Sequence, residues 1–171
     1  KTLPKGYSYS IDHNGSTVII KEKFNGNVSM SAPVVFTVYI PEPIDSKVKT
    51  VSGEIAINGL TTKALLLESV SGEIAVSNVI TQKKAEFKTI SGMITINEFD
   101  GEHSVVSTTS GELLIRKVTG KSLSATVSSG DVTIDDVTID AVTLKTTSGD
   151  ISLSNAQIKK VDFVSVSGDL N

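Results

Sequence analysis

The residues of this chain with the clearest capacity for chemistry are carboxylates in a recurring Ser-Gly-acid tripeptide. The tripeptide occurs seven times, and its third residue is acidic in every copy except the third, which has Met93. The acids are Glu54, Glu73, Glu112, Asp131, Asp150 and Asp169. Such a column could bind Ca²⁺, but this ion takes about six to eight oxygen ligands, more than one carboxylate per repeat supplies. We therefore interpret the acids as solvated turn residues and predict no metal, cofactor or catalytic site.

A second group of carboxylates follows the fifth tripeptide closely. Its members are Asp131, Asp135, Asp136 and Asp140. Carboxylate oxygens suit hard cations, so an ion would be expected here if the chain bound one. The same residues suit a solvated surface, which is the interpretation that we adopt.

Hydroxyl side chains form another repeating feature. Three residues before the motif glycine stand Thr50, Ser69, Thr89, Thr108, Val127, Thr146 and Ser165, and the motif serine follows two residues later. Facing outward, the two columns would form a flat Thr-x-Ser array like that of ice-binding solenoids. Facing inward, they would form a hydrogen-bonded ladder. The sequence leaves both orientations open, and a structural role is our interpretation.

Catalysis has little support in the sequence. His13 and His103 lie in polar segments, and no nucleophile accompanies either at a short spacing. Polysaccharide-cleaving β-helix enzymes use carboxylate pairs, or calcium and arginine, in clefts built by long loops. The only insertion in these repeats is one residue. We predict that the chain is not an enzyme; the alternative is a carbohydrate-active site near the N-terminus.

The spacing of the tripeptides predicts the architecture. Successive motif glycines are 19 residues apart, except that 20 residues separate Gly72 from Gly92. Counted from each glycine, apolar residues recur at positions 2, 4, 7, 12 and 14, with a weaker column at position 9. Pairs spaced by two indicate strands, because a helix would give spacings of three and four. The pattern predicts an all-β, three-sided, single-stranded β-helix with about 19 residues per coil. The absence of a strict hexapeptide repeat favours the right-handed form.

The first 48 residues differ in composition, since they hold all four prolines. Asn14-Gly15 between alternating segments predicts a hairpin, and residues 34–40 read as a further strand. Extending the period backwards by one coil gives three apolar inward positions, Phe36, Val38 and Val48. We therefore predict one domain over residues 1–171, in which residues 1–48 form a cap of hairpin and degenerate coils and residues 49–171 form the regular coils.

Charge and composition limit the partners. The net charge is −3, which does not favour nucleic acid. There is no cysteine, which rules out disulfides. No apolar segment approaches the roughly 18 residues of a membrane span, so we expect membrane attachment only through an anchor outside this chain. The final coil is incomplete, which suggests end-to-end association of copies.

The repeated Ser-Gly-Asp/Glu-aliphatic-x-aliphatic pattern resembles the bacterial family named "putative adhesin", as does the approach from Val38-Tyr39-Ile40-Pro41 into residues 48–54. The resemblance extends from about Phe36 to Asn171. It implies a β-helix domain of uncharacterised function on a cell-envelope or extracellular protein, with no established catalytic residues. We accordingly expect a non-catalytic adhesion, scaffold or binding module with a protein or glycan partner.

Overall fold

The computed structural model describes residues 7–14, 17–24, 35, 37–40 and 43–171. Contacts divide the chain into two compact units, Lys1–Tyr39 and Ile40–Asn171, and each is described by itself. All regular secondary structure in the described residues is β-strand.

The N-terminal unit contains a two-stranded antiparallel hairpin. Strand β1 spans Tyr7–Asn14 and strand β2 spans Thr17–Phe24. Asn14 pairs with Thr17, so the connection has two residues and the predicted hairpin is confirmed. In contrast, the predicted strand over residues 34–40 is wrong for Val35 and residues 37–40, which have no regular structure. Val34 and Phe36 lie outside the described residues.

The second unit is a parallel solenoid of eight strands. Its strands are β3 Asp45–Thr50, β4 Ile55–Thr62, β5 Ala64–Ser71, β6 Ile74–Ser91, β7 Ile94–Ser110, β8 Leu113–Ser129, β9 Val132–Ser148 and β10 Ile151–Ser167. The sheet order is β10-β9-β8-β7-β6-β5-β3, and β4 also pairs with β6. From β6 onward one strand of 17 or 18 residues makes up most of each coil. The structure thus confirms an all-β solenoid of about six turns and roughly 19 residues per turn.

The predicted aliphatic columns point inward. Ile96, Ile115 and Ile134 stack on consecutive coils with at most 2% of their surface exposed. Burial of such a side chain stabilises the fold by about 1.5–3 kcal/mol. Each coil obtains these contacts from its neighbours, so stability is shared along the solenoid.

The weak column at position 9 includes Gly101, whose missing side chain leaves room for a pair of aromatic rings. The Phe99 ring meets Phe87 edge to face, with centroids 5.8 Å apart and planes at 79°. A Cβ on Gly101 would lie 2.6 Å from Cε1 of Phe99. The large residue at position 7 is therefore compensated by a missing side chain two residues later.

The motif glycine marks a corner at which successive coils touch. A Cβ on Gly111 would lie 2.1 Å from the carbonyl oxygen of Gly92, and its φ is +153°. Both the space and the backbone angle therefore exclude other residues. This confirms the corner that the sequence indicated.

Six residues after the motif glycine lies a second corner, between inward positions 4 and 7 of the three-sided pattern; the sequence analysis did not predict its left-handed backbone. Its residues adopt left-handed conformations with φ between 48° and 68°: Gly59, Asn78, Glu98, Lys117, Asp136 and Asn155. Glycine, asparagine and aspartate favour this conformation, so a signal was present. Glu98 and Lys117 obscured it.

The extension of the period into the first 48 residues is only partly correct. Val48 lies in β3 and pairs with the inward residue Leu67, but 39% of its surface is exposed. Val38 is not in a strand and is 56% exposed, which contradicts its assignment to the core. That residues 1–48 cap the solenoid stays a prediction, as does the hand of the coil.

Candidate functional site

The motif acids are exposed, and two of them cap the backbone of the next coil. Oδ1 of Asp131 accepts a hydrogen bond from the backbone N–H of Asp150 at 3.0 Å. Oδ1 of Asp150 accepts one from the N–H of Asp169 at 2.9 Å. These contacts give the acidic position a structural role at the corner.

The aspartate group near the fifth motif does not converge. Asp135 accepts hydrogen bonds from Ser154 Oγ at 2.7 Å and Asn155 Nδ2 at 2.9 Å, which lower the pKa of its carboxyl group. Asp140 instead forms an ion pair with Lys159 at 2.8 Å. Within the described part of the chain, no three His, Cys, Asp or Glu residues are placed to share a metal ion.

The two hydroxyl columns point in opposite directions. Thr89, Thr108 and Thr146 are buried, whereas the motif serines such as Ser110 are exposed. The columns therefore do not form one flat exposed array. They do not form the hydrogen-bonded ladder either, because the oxygens of four buried hydroxyls of this column have no partner: Ser69, Thr89, Thr108 and Thr146.

One histidine has a partner that the sequence analysis did not find. Nδ1 of His103 lies 2.9 Å from the Oγ of Ser122, and both groups are at the surface. The 19-residue separation places Ser122 on the next coil, so the repeat period was the signal that could have found it. His13 lies in β1 opposite Val18, and its side chain is outside the described residues.

A shallow trough of about 510 Å³ lies on the outer surface of the solenoid. We call it the trough and define it by two outward columns of β4, β6, β7 and β8. The columns are Ala56, Ala75, Thr95 and Leu114, and Asn58, Ser77, Asn97 and Arg116. The buried residues between them face the core, because side chains alternate along a strand. The first column forms an apolar floor, and the second forms a polar wall.

The polar wall contains groups that are free to bind. Oδ1 of Asn58 accepts hydrogen bonds from Ser77 Oγ and Asn78 Nδ2, at 3.1 and 3.3 Å. In the described chain, the side chains of Asn97 and Arg116 make no hydrogen bond, and Arg116 stands beside Asp135 of the next coil, whose carboxylate attracts it electrostatically. Asn97 is half-buried, and Arg116 is exposed. Two polar side chains in the trough therefore have unused hydrogen-bonding capacity.

The trough has an acidic border. The motif residues Glu54, Glu73 and Glu112 stand two positions before Ala56, Ala75 and Leu114, and all three acids are exposed. Met93 interrupts this row on the third coil.

A second surface feature is an exposed row of aliphatic residues. Val51, Val70 and Ile90 occupy the same position on consecutive coils and are 70%, 43% and 55% exposed. We call them the aliphatic stripe. Lys49 and Lys88 stand two residues before its ends, so they face the same side. On the following coils the position holds hydroxyl residues, Thr109, Ser128 and Thr147.

Comparison with known proteins identifies the family. The model of the Toastrack DUF4097 family matches residues 2–171. The chain belongs to the Toastrack DUF4097 family. No curated protein matches this Toastrack chain, and no solved structure matches it. Toastrack domains have no known function, and the match agrees with the expected β-helix-like domain. In the described residues, no helix has the length and apolar character needed to cross a membrane.

Proposed function

We propose that this Toastrack domain is a non-catalytic binding module of the bacterial cell envelope, acting as a scaffold or adhesion domain for a protein partner. The aliphatic stripe is the observation that supports this function best. Exposed aliphatic side chains on adjacent coils leave apolar surface in water, which a partner would cover favourably. The resemblance to the adhesin family supports the envelope location.

The charges near the stripe favour an acidic partner. Lys49 pairs with Glu68, and Lys88 Nζ lies 2.7 Å from Glu86. Lys47 stands two residues before Lys49 and takes part in no ion pair within the described chain. Lysines at the rim of an apolar patch increase the rate of association with an acidic surface.

A polysaccharide-cleaving enzyme fits the trough less well. Such enzymes use a pair of carboxylates on either side of the scissile bond. Arg116 is the only charged residue in the lining of the trough. The cation and ice-binding alternatives have less support, because the aspartates do not converge and the threonine column is buried.

Site-specific photo-crosslinking in living cells tests the proposed partner. A photoreactive amino acid replaces Val70 in the stripe or, as the matched control, Thr147 at the same position of a later coil. We expect a discrete crosslinked protein with the probe at residue 70 and none with the probe at residue 147. Identical products at both positions, or none at residue 70, would contradict the proposal.

Envelope location has its own test. The full-length natural protein should be recovered with the envelope or extracellular fraction of its host. Recovery in the soluble cytoplasmic fraction would exclude an envelope module, whatever the stripe binds.

We also propose end-to-end association through β10. Its inward residues Ile158 and Phe163 are half-buried, whereas Ile139 and Leu144, their counterparts in β9, are at most 2% exposed. Partly exposed apolar side chains of this kind can be covered by a second copy of the chain. Light scattering should show dimers or longer assemblies that Phe163→Lys disrupts; a monomer at high protein concentration would refute this association.

A further inference from the structure

The trough has the chemistry of a ligand site that is independent of the aliphatic stripe. We propose that it binds a neutral, hydroxyl-rich oligosaccharide of β-linked pyranose units, with the sugar chain lying along the solenoid axis across β4, β6, β7 and β8. The lining residues, their spacing along the axis and the charges at the border each support this ligand class.

The spacing favours a glycan over a polypeptide. The floor and the wall repeat on four consecutive coils, and adjacent parallel strands are about 4.8 Å apart. An extended polypeptide advances about 3.3 Å per residue, so its side chains would lose register with the coils. In a β-1,4-linked pyranose chain, the advance per sugar is close to this spacing between adjacent strands. Successive sugars would therefore meet side chains at the same two positions of successive coils.

The two columns suit the two kinds of surface that a pyranose presents. Ala75 and Thr95 form a narrow, half-buried floor against which the C–H face of a sugar ring can pack. Asn97 is half-buried in the wall and has no partner in the described chain. An amide both donates and accepts hydrogen bonds, as sugar hydroxyls do. The trough thus pairs an apolar floor with a two-way hydrogen-bonding wall.

The charges decide between neutral and acidic sugars. Glu54, Glu73 and Glu112 border the trough, whereas Arg116 is its single cationic residue. These carboxylates can accept hydrogen bonds from hydroxyl groups but repel a polyanion. Arg116, on the last coil of the trough, can donate to a hydroxyl or ring oxygen of the terminal sugar. A neutral glycan therefore fits better than a polyuronate.

Titration calorimetry with purified wild-type protein tests the ligand class. The probes are the β-1,4-linked tetramers of glucose and of N-acetylglucosamine, and a tetramer of β-1,4-linked uronic acid, each matching the four coils of the trough. We expect at least one neutral tetramer to bind and the uronate tetramer to bind at least tenfold more weakly. Absence of binding by both neutral tetramers, or equal binding of the uronate, would overturn the proposal.

Two variants locate the site. Ala75→Phe fills the trough and should weaken binding of the neutral tetramer at least tenfold. Ser152→Phe adds the same side chain on the same outward column, two coils beyond the lining residue Leu114, and should leave the affinity unchanged.

Asn97→Ala removes a hydrogen-bonding group and should weaken binding roughly three- to tenfold. Unchanged binding by Ala75→Phe would place the ligand elsewhere, provided that its thermal unfolding matches that of Ser152→Phe.

Discussion

The side chain of Asp131 is hydrogen-bonded to the backbone of Asp150, one coil further along the solenoid. Its Oδ1 accepts the N–H of Asp150 at 3.0 Å, and Asp150 makes the same contact with the N–H of Asp169. A carboxylate that satisfies a backbone donor of the next coil contributes to corner geometry without any ligand. The acidic third residue of the motif therefore has a structural explanation at these positions.

Replacement of Asp131 separates this capping role from a role of its charge. Asp131→Ala removes the acceptor and should lower Tm by about 2–4 °C, because a lost hydrogen bond costs about 1 kcal/mol. Asp131→Asn removes the charge but keeps a side-chain oxygen, so it should retain most of the Tm. Thermal unfolding followed by circular dichroism measures both. A Tm of Asp131→Asn as low as that of Asp131→Ala would show that the charge itself matters.

Two glycine-to-alanine substitutions should differ greatly in how much they destabilise the fold. In Gly111→Ala the new methyl group would lie 2.1 Å from the Gly92 carbonyl oxygen, so the coils would have to separate. We expect a loss of more than about 4 kcal/mol, or failure to fold. Gly59 has φ +68° and nothing within 4 Å of its Cβ position. Gly59→Ala should therefore cost only about 1–2 kcal/mol, the penalty of a left-handed conformation.

Urea denaturation of the two glycine variants measures this difference. Gly59→Asn is a further control, because Asn78 and Asn155 already occupy this corner on other coils with φ of 52° and 48°. It should be closer to wild type than Gly59→Ala. Equal stability of Gly111→Ala and Gly59→Ala would refute the close approach of coils at the motif corner.

The aliphatic columns could be predicted because every coil repeats the same inward positions. Ile115 and Ile134 are recognisable as core residues from their shared distance to the motif glycine. The direction of the Thr108 column could not be predicted, because the next position along the chain varies from Ile90 to Thr147 and has no constant polarity.

The trough could not be predicted for a related reason. Its shape depends on the outward residues, which are not constrained by the core and do not repeat. Small Ala75 and large Leu114 occupy equivalent positions two coils apart, with Thr95 between them, and only this succession of side chains creates a concave surface. Functional character in a solenoid thus lies in departures from the repeat, whereas the fold lies in the repeat itself.

A buried hydroxyl without a partner should be replaceable by a methyl group. Thr108 is 2% exposed and its Oγ1 has no hydrogen bond, while the equivalent position on the next coil is already Val127. Thr108→Val should therefore be neutral or stabilising, since no hydrogen bond is lost and an unsatisfied polar atom is removed.

Thr62 provides the matched control for Thr108. It is fully buried, but its Oγ1 donates to the carbonyl of Ile44 and lies 3.1 Å from the carbonyl oxygen of Ala64. Thr62→Val should cost about 0.5–1.5 kcal/mol, because the hydrogen bonds of its hydroxyl group are lost, although the Ile44 carbonyl still accepts from the backbone N–H of Lys63 at 3.0 Å. Urea denaturation should rank Thr108→Val above Thr62→Val; the reverse order would mean that Thr108 has a partner in solution, such as an internal water.

The ion pairs of Glu86 should make the protein less stable as the pH becomes acidic. Lys84 and Lys88 approach its carboxylate at 2.6 and 2.7 Å and lower its pKa from 4.5 to about 2. Because the folded pKa is depressed, the stabilisation is complete above about pH 4.5 and is lost as the pH falls towards 2. Glu86→Gln should therefore be less stable than wild type at pH 7 and nearly equal to it at pH 2.

The matched control is Asp162→Asn, a change in the same outward column at a carboxylate that has no ion pair in the described chain. Chemical denaturation at several pH values tests this, and a Glu86→Gln difference that does not shrink below pH 4 would show that Lys84 and Lys88 do not hold the carboxylate in solution.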